Sequence, residues 1–301
     1  MKLRSYSLRS YVFAVAAYIV FSLFIPLDST TRAAYNFSLS QAHIVAFITA
    51  LPLFGVWFVA FYCYGKLHKY VDSIHKAREA AAFSRIADGV MVLSWGLVIQ
   101  AFAALLLGGL SGHIHGFYGA AAVIENYIKI VFTLIAFTFI SSGARQLLTT
   151  RHGYATLPSS RWLILLFAII ASIYSYLAVH VQDHSPFAHH LPIALLFITV
   201  IIPYIYSWFL GLLAAFDITI HAKVTHGVLY RRSLNELAGG LICLIISSII
   251  MQYLNSAFAA KVGAFSINAV LLIDYFLLFG MAFGYVLMIN GVRGLQRIEE
   301  I

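Results

Sequence analysis

Glu125, Asn126 and Lys129 interrupt one long apolar run, and Asp274 interrupts another. Ionisable groups in a run of that kind cost several kcal/mol at bilayer depth, by order of magnitude, and persist where they pair or line a polar path. Glu125 and Lys129 are four residues apart, so a helix puts them on one face, with Thr133 a turn further on. A lysine held between two carboxylates can release its partner when a cation or proton arrives, or hold an anionic solute. The same four residues could instead form a neutralised ion-pair cluster that joins two helices.

A second group is richer in imidazole. The segment HVQDHSPFAHH holds His180, Asp183, His184, His189 and His190. His180 and His184 have helical i,i+4 spacing, and this donor set suits a divalent metal such as Zn²⁺, Cu²⁺ or Ni²⁺. It would equally serve as a sensor of external pH, or be an ordinary solvated loop. Haem is disfavoured, because facing, buried histidine pairs are needed and nearly all histidines here fall at helix ends or in loops. Cys63 and Cys243 are too few for a metal site or a disulfide framework. No P-loop, GxSxG, HExxH or channel-filter motif occurs, so the chain carries no recognisable enzyme constellation and no firmly implied cofactor.

What must position these groups is a membrane. The 301 residues are 62% hydrophobic and 10% charged, with mean hydropathy +0.90. Runs of roughly 20 apolar residues cross ~30 Å of hydrocarbon. They recur near 10–26, 42–64, 86–109, 120–141, 162–180, 191–216, 236–256 and 266–290. The sequence therefore predicts an all-α polytopic integral membrane protein with eight transmembrane helices. Of the 19 Lys and Arg, all but Arg32, Lys129 and Lys261 fall on one side of this arrangement. The positive-inside rule makes that side cytoplasmic, with both termini, in a plasma or inner membrane. The net charge of +8 is a topology signal, and nucleic acid is not an expected partner. The bilayer is. Homo-oligomerisation is left open.

Shifting the chain by about 150 residues sets distinctive residues on one another. Pro52 meets Pro203, Trp57 meets Trp208, Gly89 meets Gly240, and GARQL (143–147) meets GVRGL (291–295). Matched Pro, Trp, Gly and Arg are harder to obtain by chance than matched Leu and Ile. The expectation is two four-helix repeats, 1–150 and 151–301, inserted the same way up about an axis along the membrane normal. Pro52 and Pro203 would each free a backbone carbonyl one turn back and kink helices two and six. The basic linkers 65–85 and 217–235 read as solvated, lipid-hugging surface or a partner-docking face, the first as an inner extension of a helix, and Asp88, Asp217 and Glu236 as caps or interfacial charges. The pattern Gly280-Met281-Ala282-Phe283-Gly284 reads as a close-packing face.

These readings favour a small transporter or channel with an outward-facing polar site near the repeat interface. The alternatives are a non-transporting scaffold, receptor or complex subunit, and a redox or metal-binding membrane protein using the external histidines.

Overall fold

The computed structural model describes Arg9 and residues 12–21, 39–111, 117–149, 202–224, 227–260 and 267–299. Every element among them is helical. A short helix α1, Val12–Phe21, precedes α2 (Leu39–Ser73), α3 (Ala77–Ser111), α4 (Phe117–Thr149), α5 (Ile202–Val224), α6 (Val228–Ala260) and α7 (Ile267–Glu299). Five stretches are long and apolar enough to cross a membrane: Ala77–Ala103, Tyr127–Thr149, Ile202–Val224, Val228–Met251 and Tyr275–Glu299. The protein is a multi-pass membrane protein whose described elements are all helical.

These helices are apolar all round because each meets side chains on one face and lipid on the other. On α7, Leu272, Phe276, Phe279, Phe283 and Val286 form one exposed stripe at i,i+3/i+4 spacing. Ile242, Ile246 and Ile250 do the same on α6. In water such faces would aggregate; in a bilayer they are the solvent-exposed surface. The helices also outrun the membrane. At ~1.5 Å per residue, the 35 residues of α3 are longer than a ~30 Å hydrocarbon core.

Adjacent helices close into a ring: α2 packs on α3, α3 on α4, α4 on α5, α5 on α6, α6 on α7, and α7 on α2. The most extensive contacts are α3–α4 and α6–α7, and glycine is the reason. A Cβ on Gly89 would lie 2.7 Å from the Ala136 carbonyl oxygen, and one on Gly240 would lie 2.5 Å from that of Gly284. A Cβ on Gly143 would meet the Ala82 carbonyl oxygen, and one on Gly291 that of Ser233. In each pair the two sites match in sequence, and so do the carbonyls they press against. Small residues here allow backbone-to-backbone approach, which is the packing expected of the Gly280–Gly284 pattern.

Both connections at one end of the ring, here called the linker end, are short. Residues 74–76 separate α2 from α3, and the Ala80 N–H donates to the Lys76 carbonyl at 2.9 Å. At the matching position, the Arg231 N–H donates to the Gly227 carbonyl at 2.9 Å. The first linker is therefore two helices meeting at a three-residue break, not one helical extension. α2 is helical through Pro52, and Pro203 stands in the first described turn of α5.

The tryptophans that follow each proline are core anchors. Trp57 is fully buried, with Tyr18 of α1 edge-on to it at 6.2 Å and to Phe54 at 5.4 Å. Trp208 is buried and stacks on Tyr204 at 5.4 Å.

Candidate functional site

A cavity of about 100 Å³ lies inside the ring, and all six long helices contribute to its wall. Leu53 of α2 faces it, as does Tyr204 of α5; Leu93 and Leu97 of α3, as do Leu244 and Ser248 of α6. Thr133 and Phe137 of α4 line it with Met281 and Tyr285 of α7. Each of these pairs joins positions that the sequence shift superposes. The wall is thus quasi-symmetric in position but not in chemistry. Gln100 on α3 opposes Met251 on α6, and Lys129 on α4 is the one ionisable Lys, Arg, Asp, Glu or His among the described lining residues.

Lys129 is half-buried and lines a mostly apolar space, with Gln100, Thr133, Ser248 and Tyr204 as the other polar residues of the wall. The Thr133 hydroxyl donates to the Lys129 carbonyl at 2.7 Å, which leaves its oxygen lone pairs for a guest. An apolar cavity with a few convergent polar groups is the usual form of a small-solute site.

Of the polar residues expected to surround Lys129, Glu125 and Asn126 lie on α4 and Asp274 on α7. Their side chains lie outside the described ones. His180, Asp183, His184, His189 and His190 also lie outside the described residues. Among the described residues no group of three His, Cys, Asp or Glu could hold a metal.

Toward the linker end the cavity stops at Leu93, Leu244, Phe137 and Tyr285, of which the two aromatics are 2% and 1% exposed. Beyond them, α4 and α7 turn apolar, closely packed side chains to the interior. Ile140, Ala144 and Leu147 of α4 are fully buried, as are Met288, Val292 and Leu295 of α7. From Phe137 to Leu147 is about 15 Å of helix.

A second polar group, invisible to the sequence reading, closes the linker end. Glu79 is 8% exposed, and its Oε1 accepts the Tyr230 hydroxyl at 2.6 Å. These two positions are 151 residues apart, the same shift that superposes the prolines. Buried Tyr70 and His221 match each other by the same shift. The His221 ring sits edge-on to Tyr230 at 6.2 Å. Burial, with the charges of Glu79 and Glu299 adding, holds the Tyr70 phenol well above its ordinary range, so it stays protonated.

Flanking contacts join the same elements. The Arg293 guanidinium of α7 donates to the Tyr62 hydroxyl of α2 at 3.2 Å, and the Gln296 side-chain amide donates to the Lys66 carbonyl at 3.4 Å. On the opposite flank, Asp217 of α5 is 2% exposed and within electrostatic reach of Arg145 of α4. Asp217, expected as a cap or an interfacial charge, is covered by its neighbours where α5 packs. The solvated reading of the first linker fails at Glu79.

Comparison with protein-family models, curated proteins and solved structures returns no match.

Proposed function

We propose that this protein is a small membrane transporter or channel, built as two parallel four-helix repeats (1–150 and 151–301) that bind a small ion or solute between them. The observation that carries the reading is the central cavity: six helices wall it, matched positions from both halves line it, and Lys129 brings a charge to it. Ionisable groups in membrane-spanning segments commonly mark substrate or ion pathways, and Lys129 is half-buried where it lines this cavity.

The cavity lies toward the end opposite the linkers, and about 15 Å of sealed core separates it from the linker end. With the basic linkers cytoplasmic, the site faces outward. A plug of that length cannot be a mere constriction, so passage requires the two halves to move against one another. Glu79–Tyr230 and Arg293–Tyr62 are contacts that such a motion breaks, and the glycine-packed pairs α3–α4 and α6–α7 are the rigid blocks that carry it. This is the alternating-access scheme open to repeat proteins.

Flux into proteoliposomes tests the proposal. Wild-type protein reconstituted with panels of small cations, anions and neutral solutes shows saturable uptake of at least one class, and Lys129→Met or Asp274→Asn lowers it tenfold or more. If no class moves faster than in protein-free vesicles, and both variants keep the wild-type fold, the scaffold reading replaces transport.

A further inference from the structure

The linker end carries a groove that the transport reading does not use. It runs along α6 beside α7 and is lined by Val228, Arg231, Arg232, Asn235, Glu236, Gly239 and Leu287. Its rim is cationic and polar, with Arg231, Arg232 and Asn235 all exposed. Its floor is Gly239, where an added Cβ would meet nothing within 4 Å, and Leu287 forms the α7 wall. Past the floor the surface becomes wholly apolar, through exposed Ile242 and Ile246. From Arg231 to Ile246 is fifteen residues, roughly 22 Å of helix, the depth of one bilayer leaflet with its headgroup layer.

We infer that this groove holds one phospholipid with an anionic headgroup, its phosphate at Arg231 and Arg232 and one acyl chain over Gly239 along α6. Basic pockets between transmembrane helices at the positively charged face take such headgroups. Glu236 tempers the rim, since Arg232 Nε donates to its carboxylate at 3.1 Å. That bond uses one edge of the guanidinium and leaves the other, together with the whole of Arg231, for phosphate.

The other half of the molecule shows that this is more than a general excess of surface cations. The positions matching Arg231, Arg232 and Gly239 are Ala80, Ala81 and Asp88. There the rim has lost both cations, and a carboxylate stands where the chain would lie. Arg85, which matches Glu236, is occupied with Ser142 at 2.8 Å. Two otherwise similar helix pairs thus differ in the three features that an anionic lipid needs: paired guanidinium groups, an amide at the rim, and an open apolar floor.

Native mass spectrometry of the full chain released from detergent, with added phosphatidylglycerol or phosphatidylcholine, tests the inference. Wild type retains phosphatidylglycerol preferentially. The double variant Arg231→Gln, Arg232→Gln loses that preference by on the order of tenfold or more, at roughly fivefold per basic residue near a membrane surface. Gly239→Leu fills the floor and weakens retention of both lipids severalfold, while Arg297→Gln, an exposed cation outside the groove, changes retention by less than twofold. Equal retention by wild type and the double variant overturns the proposal, as does an equal loss in Arg297→Gln, which would mean diffuse charge. Abolition of lipid retention by millimolar glycerol phosphate also overturns it, since the groove would then be a simple anion site. None of these outcomes depends on transport.

Discussion

Replacing Tyr230 by Phe removes one oxygen atom from the linker-end closure and leaves the ring in place. The bond it deletes is a 2.6 Å hydrogen bond to the carboxylate of Glu79, itself 8% exposed. Hydrogen bonds to charged groups contribute about 1.5–3 kcal/mol, and this one is short and charge-assisted. Glu79 also stands in the first turn of α3, where the helix dipole offsets part of the loss. The lower half of the range, about 1.5–2 kcal/mol, is therefore expected, a tenfold to thirtyfold shift toward a linker-open state in which the bond is absent. Cys63 is a built-in reporter, fully buried at plug level. In a Cys243→Ser background, a membrane-impermeant maleimide applied from the linker side labels Cys63 slowly in the wild type. In Tyr230→Phe it labels roughly ten to thirty times faster, with the thermal midpoint lowered by only a few degrees. Unchanged labelling alongside a lowered midpoint would refute the latch and leave the bond purely structural.

Other outcomes follow from the same contacts. Gly240→Ala places a methyl group 2.5 Å from the Gly284 carbonyl oxygen, so overpacking of about 1–3 kcal/mol lowers the thermal midpoint in detergent. Gly55→Ala, with nothing within 4 Å of the new Cβ, gains the helix-propensity difference of up to ~1 kcal/mol and raises or preserves it. Phe137→Ala removes half of the aromatic cavity floor at a cost of about 3–5 kcal/mol, and a thiol placed one turn deeper becomes reactive from the cavity side. Trp57→Ala costs a similar amount and loosens α1, which proteolysis near the N-terminus detects.

How much of this was legible in the chain depended on whether a residue was conspicuous alone. Lys129 stood out because a charge in an apolar run is costly wherever it ends up, and it lines the cavity. The tryptophans and glycines stood out by repetition, and each makes the contact its size allows: Trp57 fills a core, and Gly89 and Gly240 let backbones meet. Gln100, Ser248 and Tyr204 were not legible, since a single Gln, Ser or Tyr in a transmembrane run is ordinary until three helices bring it to one space. Glu79 was misread because its neighbours Lys76 and Arg78 suggested a solvated linker. The signal that could have found it was the shift itself. It places Glu79 on Tyr230 and Tyr70 on His221, and polar residues matched in this way can meet at a two-fold axis. That Asp217 is packed against neighbours was not legible either, since only the helix α5, which continues to Val224, shows which face it takes.

Sided labelling of one engineered thiol at each level tests the central claim, a cavity reached from one face and sealed from the other. With Cys63 and Cys243 replaced by Ser, Thr133→Cys lines the cavity and Ala144→Cys lies within the plug. Impermeant maleimide applied opposite the linkers labels Thr133→Cys rapidly, and the same reagent at the linker face leaves it unlabelled. Ala144→Cys resists from both faces until Tyr230→Phe is added. If Thr133→Cys proves equally unreactive from both faces, the cavity is a packing void and the transport account is contradicted.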